Sequence, residues 1–231
     1  MSFRREQHIR PGLLSDFILG SQDGLVNVLG ILLGLSAATG ERTLIIIGAL
    51  AALGAESVSM GAVAYTSTRA RRQVYEAERQ RELHEMKEIP DMEREEVRTI
   101  FRNWGYEGDE LEELVRKIES KPRAMLELMM AFELNLATVS EQAPRNSGLV
   151  VLGATIVGST IPLVPFLIPG LPIETSAIAS IVVSGVALFG IGWYEALVTI
   201  GPFWKAGLRM LVIGLAAGFA GFLIGHFAHV Y

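Results

Sequence analysis

Long apolar stretches free of Lys and Arg alternate with short charged ones along most of this chain. No Lys or Arg lies between Arg10 and Arg42, between Arg42 and Arg69, between Arg145 and Lys205, or after Arg209. About 20 apolar residues are needed to cross roughly 30 Å of hydrocarbon, so these gaps hold one, one, two and one crossings. The pattern predicts five membrane-spanning helices near residues 13–38, 43–68, 147–168, 175–199 and 205–228. Turn markers fall between them: Ala38-Thr39-Gly40 after the first, Pro169-Gly170-Leu171-Pro172 after the third, and Gly201-Pro202 after the fourth.

Residues 71–141 break the pattern. They are rich in helix formers and read as a three-helix insert between the second and third spans. Its first helix runs from Arg71 to Glu88 and ends at Ile89-Pro90-Asp91. The second runs from Met92 to Trp104 and stops at Gly105. The third starts after Gly108-Asp109, breaks or kinks near Lys121-Pro122, and resumes through Leu136. Apolar positions at helical spacing, among them Val97, Phe101, Leu111, Val115, Ile118 and Met125, supply a small core. The expected fold class is therefore all-α, a polytopic membrane protein divided into residues 1–70, 71–141 and 142–231.

Composition agrees, with 50% hydrophobic residues, 24 Gly and 19% charged residues in a 231-residue chain. The absence of cysteine excludes disulfides, zinc–thiolate sites and thiol catalysis. The net charge of −5 conceals an uneven distribution. Residues 73–141 hold 18 of the 25 acidic groups against 10 of the 20 Lys and Arg, and the rest of the chain is slightly positive. Such an insert calls for a cationic partner and excludes nucleic acid. The segment Met1 to Arg10 carries three arginines but leads into a span with two aspartates, unlike a cleavable signal peptide.

Positive residues set the orientation. In a five-span arrangement Arg4, Arg5, Arg10, Arg69, Arg71, Arg72, Arg145, Lys205 and Arg209 share one side, and Arg42 stands alone on the other. The N-terminus and the insert are then cytoplasmic. Small residues four apart, Gly30/Gly34, Gly214/Gly218 and Gly221/Gly225, allow close helix approach, with a dimer seam as one reading.

Candidate chemistry lies in the carboxylates. Glu82 and Glu85 are three apart on one predicted helix, Glu93 and Glu96 three apart on the next, and each pair shares a face. The turn at Pro90 can fold those faces together, and Met129 and Glu133, four apart, add a thioether and a carboxylate. A solvated acidic surface is the alternative. Carboxylates converging on one volume repel one another unless cations intervene. Inside the spans, Asp16 and Asp23 lie seven apart on one face. Glu56 lies mid-span in the second helix, with Met60 one turn further. Carboxylates at that depth line pathways or relay protons, so proton and metal would compete for one site. Asp16 has the alternative of capping the first helix. His84, His226 and His229 read as incidental.

Taken together, Ser21-Gln22-Asp23-Gly24-Leu25, Glu56-Ser57-Val58-Ser59-Met60-Gly61, the Arg81-Glu82 to Glu96 stretch with Pro90, and Leu128-Met129-Met130-Ala131-Phe132-Glu133-Leu134 resemble the vacuolar iron transporter family. The similarity runs from about Leu14 into Ile161-Pro162-Leu163-Val164-Pro165. It implies a dimeric five-helix carrier that exports cytosolic Fe²⁺, in some members also Mn²⁺, in exchange for protons, from a vacuolar or prokaryotic plasma membrane. The metal is cargo, no prosthetic group is implied, and the protein is not an enzyme. By position, Glu82, Glu85, Glu93, Glu96, Met129 and Glu133 would form the cytoplasmic metal site. Asp23 and Met60 would belong to the translocation site, with Asp16 near its entrance. Where the family carries a second-span glutamate this chain has Ala52, and Glu56, four residues on and on roughly the same face, is read as its substitute. Glu195 is a second departure, read as structural.

Oxygen ligands with a thioether suit Fe²⁺ or Mn²⁺ better than Ca²⁺ or Mg²⁺. A membrane-tethered di-iron oxidase would need Glu-x-x-His pairs, which the sequence lacks. A metal sensor or scaffold without transport would have no use for Asp23 and Glu56 inside the bilayer.

Overall fold

The computed structural model describes residues 11–227. Arg4, Arg5, Arg10 and His229 lie outside them. The described residues form eight helices and no strand: α1 (Pro11–Ala38), α2 (Arg42–Glu88), α3 (Pro90–Asn103), α4 (Gly108–Glu119), α5 (Pro122–Phe132), α6 (Ala143–Leu167), α7 (Ile173–Val198) and α8 (Phe203–Phe227). Five of these, α1, α2, α6, α7 and α8, are long and apolar enough to cross a membrane, as the spacing of charges predicts. Large apolar side chains such as Ile47, Val58, Val157, Ile178, Val186, Leu197 and Ile224 face outward along them. An apolar exterior of that extent suits lipid rather than water.

The chain divides into two compact units: Ser67–Ala143, and the described residues on either side of it. Within the flanking unit, Val28 and Leu32 of α1 pack with Ile45 and Ala49 of α2 and with Leu163 and Phe166 of α6. Leu25 of α1 joins Leu188 of α7 and Met210 of α8 in a second core. The small residues serve contacts inside the chain. A Cβ on Gly221 would strike the Gly30 carbonyl, and one on Gly225 the Gly34 carbonyl, so α1 and α8 touch backbone to backbone. Gly214 faces Leu188 and Val26, and Gly218 faces Leu29 and Leu33. These positions therefore seal one protomer's own helices, contrary to the reading of them as a dimer seam.

Arg42, which the charge pattern set apart from the other basic residues, has a structural use. Its guanidinium donates to the carbonyl oxygens of Phe166 (3.0 Å) and Ile168 (2.9 Å), to that of Leu171, and to Ser176 Oγ (3.2 Å). The last carbonyls of α6 lack intrahelical donors, and a cation at a helix C-terminus satisfies both the hydrogen bonds and the dipole. Glu195 of α7 accepts from Arg209 of α8 at 2.9 Å, which ties those two helices together.

In the other unit the helices differ from expectation at two points and match it at a third. The stretch Arg71 to Glu88 is not a separate helix but the continuation of α2, since nothing between residues 66 and 88 breaks helical geometry. The break expected at Lys121-Pro122 is present and complete, separating α4 from α5, because Pro122 has no N–H to continue the ladder. Finally, α5 ends at Phe132 rather than Leu136, with Glu133 at its C-cap and Asn135 at positive φ. Pro opens both α3 and α5, acidic groups occupy the first turn of α3 and α4, and basic groups the last. Val97, Phe101, Leu111, Val115, Met125 and Met129 form the core. Arg98 holds Glu112 through two hydrogen bonds (2.7 and 3.0 Å), and Arg94 grips Glu119 the same way, clamping α3 to α4.

The packing gives a paired expectation. Gly225→Ala should lower the thermal unfolding midpoint of the protein in detergent by several degrees, since its methyl meets fixed backbone. Gly153→Ala, with open space around it, should leave the midpoint unchanged or slightly higher. Equal behaviour of the two variants would contradict the α1–α8 seam.

Candidate metal centre

Pro90 cannot extend α2, so the chain turns within the single residue Ile89 and starts α3 directly. That tight reversal brings Glu82 and Glu85 of α2 up to Glu93 of α3. One carboxylate oxygen from each of the three lies within 4.8 Å of the others. Glu82 and Glu93 are buried, at 3% and 1% exposure, and each has one oxygen, Oε2, with no hydrogen-bond partner. A buried carboxylate oxygen without a donor is costly, and it marks a place where a cation or proton belongs.

Electrostatics binds five carboxylates into one group. Burial pushes Glu82 up to about 7, assisted by repulsion from Glu133, Glu85 and Glu96. Glu93 rises to about 7 for the same first reason, then through Glu96, Glu82, Glu133 and Glu85. Burial also raises Glu96, helped by Glu85, and Glu133, helped by Glu96 and Glu85. Five basic side chains of this unit, Arg98, Arg94, Lys117, Arg123 and Arg72, are engaged away from the centre, on Glu112, Glu119, Glu113, Glu127 and Glu141. Glu85 shares Arg81 at 3.2 Å, whereas Glu82, Glu93, Glu96 and Glu133 have no salt bridge among the described residues. Part of the acidic excess is thus held in surface ion pairs, while in the centre Arg81–Glu85 is the one ion pair among the described residues. Met129 lies fully buried in the core, one turn before Glu133, which sits at the exposed end of α5. His84 is exposed and stands outside the glutamate trio.

A second polar group lies within the spans. Asn27 of α1 donates from Nδ2 to Oε1 of Glu56 on α2, and Asp23 lies near the same carboxyl group. The other oxygen of Glu56, Oε2, is buried without a partner. Ala52 is half-buried one turn before Glu56, and Met60 half-buried one turn after. Asp16 is also half-buried, two turns from Asp23 and at least five residues inside α1, too deep to cap that helix. Asn27 was not singled out in the sequence. Its signal is a lone amide four residues after Asp23 in an otherwise apolar run, and so on the same helix face.

The chain is 30% identical over 220 residues to vacuolar iron transporter 1 of Eucalyptus grandis, covering 94% of this chain and 88% of that protein. It is 32% identical over 219 residues to vacuolar iron transporter 2 of Oryza sativa subsp. japonica, with coverage of 94% and 88%. Protein CCC1 of Saccharomyces cerevisiae is 26% identical over 227 residues, covering 94% of this chain and 70% of that protein. Residues 14–226 match the model of the VIT family, so the resemblance carried by the Asp23, Glu56, Glu82–Glu96 and Met129 motifs is borne out: the chain belongs to the VIT family.

Proposed function

We propose that this protein is a membrane carrier that exports Fe²⁺ or Mn²⁺ from the cytosol in exchange for protons. The observation that carries the reading is the proximity of two carboxyl groups, Asp23 and Glu56, on neighbouring apolar spans, with one Glu56 oxygen buried and unpartnered. Two such groups in a low-dielectric setting cannot both stay ionised without a cation between them. Binding a divalent ion there displaces protons, and protonation expels the ion, which is the exchange an antiporter needs.

The glutamate centre of the insert serves as the capture site. Glu82, Glu85 and Glu93 supply converging oxygens, Glu96 and Glu133 add negative potential, and Met129 supplies a thioether that favours first-row ions over Ca²⁺ and Mg²⁺. The ion passes from there to Asp23, Glu56 and Met60, with Asp16 near the entrance. The orientation with N-terminus and insert in the cytosol follows the distribution of Lys and Arg. The homodimer is carried over from the family resemblance, and the names of the relatives, vacuolar iron transporters from plants, support iron as cargo. A sensor without transport would leave the proximity of Asp23 and Glu56 without purpose.

Asp23→Asn keeps size and removes charge, so it should abolish metal uptake into proteoliposomes under a pH gradient while titration still detects metal binding by the insert. Normal transport by this variant would refute the pathway. Replacing Glu82, Glu85, Glu93 and Glu96 together with Gln should weaken binding at least tenfold, as each lost charged ligand costs on the order of 1 kcal/mol or more, and slow uptake without abolishing it. Unchanged affinity in that variant would refute the capture site.

The pH dependence has a definite sign. Glu82 and Glu93 hold protons in the folded protein up to about 7, against an ordinary value near 4.5 in the unfolded chain. Folding then loses stability as pH rises from about 4.5 through 7, because the unfolded chain gives up its protons first. Metal-free protein should therefore unfold at a lower temperature at pH 8 than at pH 5.5, and Mn²⁺ should restore it at pH 8. In the Glu82→Gln/Glu93→Gln variant that pH difference should shrink, and its full persistence would contradict the assignment.

A further inference from the structure

Among the described residues, Asn27 is the only polar side chain lining a groove of about 570 Å³ between α1 and α8, whose other walls include Gly30, Ile31, Ala217 and Gly221. An exposed amide amid apolar spans is costly unless it has a partner. That partner is Glu56: the Asn27 amide N–H occupies Oε1 and leaves the buried Oε2 free, while Asp23 approaches from one turn earlier on the same helix. A Lys or Arg in this place would neutralise Glu56 and repel a cation. A neutral amide fixes the rotamer of the carboxylate without competing with cargo, and its own carbonyl oxygen remains available as a third oxygen donor.

We propose that Asn27 is a positioning residue for the cargo ion, holding Glu56 so that its free oxygen converges with Asp23 on one divalent cation. The proposal rests on the transport reading given above. It also explains how a carboxylate one turn along from Ala52 can serve: the amide draws Glu56 toward α1 and Asp23. The three groups come from two neighbouring helices of one chain.

The test is Mn²⁺ uptake by full-length protein in proteoliposomes with an imposed pH gradient, comparing Asn27→Leu, Glu56→Gln and the double variant. Asn27→Leu should raise KM for Mn²⁺ about tenfold with a much smaller change in kcat, as expected for the loss of one hydrogen bond to a charged group. In the Glu56→Gln background the same substitution should add little, because the pair acts as a unit. Asn27→Gln, which keeps the amide, should recover part of the loss. If Glu56→Gln is impaired while Asn27→Leu behaves as wild type, or if the two effects simply add, the role of Asn27 is overturned and the transport reading stands. If Glu56→Gln itself transports normally, the reading of Glu56 fails. Should Asn27→Leu not yield folded protein, the smaller Asn27→Ser carries the same comparison.

Discussion

Uncompensated negative charge is the constraint on which the rest of this structure depends. Two groups of carboxylates are held close together, one in the helical insert, where Arg81–Glu85 is the one ion pair the group makes among the described residues, and one inside the membrane-spanning helices. Each would be destabilising if it stood alone, since burial and mutual repulsion both oppose ionisation. Arg98 and Arg94 are fixed on Glu112 and Glu119, away from the centre. Unpartnered oxygens on Glu82, Glu93 and Glu56 are what remains.

The fold keeps both groups in place by different means. In the insert a one-residue turn at Ile89, enforced by Pro90, brings two helices together, and the Arg94 and Arg98 clamps hold α3 against α4. Among the spans, glycine contacts press α1 onto α8, while Arg42 anchors the start of α2 to the end of α6. Because α2 is one continuous helix, the residue that faces Asp23 and the residues that face α3 belong to a single element.

Much of this was legible in the sequence, for identifiable reasons. Gaps between Lys and Arg mark spans because a charge in hydrocarbon is costly, so the five crossings could be counted directly. Glutamate spacing identified the faces that meet at Glu82 and Glu93, since a helix places residues three and four apart side by side. Other features depend on partners distant in sequence. The glycine pairs announce close approach but not to which helix, and only the three-dimensional arrangement directs Gly221 and Gly225 to Gly30 and Gly34. Arg42 looked like an exception to the charge rule until its carbonyl partners, more than a hundred residues away, were located. Asn27 escaped notice because an amide carries no net charge and its role lies entirely in the carboxylate it touches. The continuity of α2 was hidden by the change from apolar to charged residues near Arg69, which alters the surroundings of a helix without breaking it.

The central claim is that buried carboxyl groups hold either protons or a divalent ion. Its most direct test is simultaneous recording of Fe²⁺ or Mn²⁺ uptake and lumenal pH in liposomes carrying the purified protein under an imposed pH gradient. The account predicts metal entry accompanied by proton exit, both falling away as the gradient is collapsed. Liposomes that remain impermeable to both ions at every gradient, or metal entry with no proton counterflow, would contradict it.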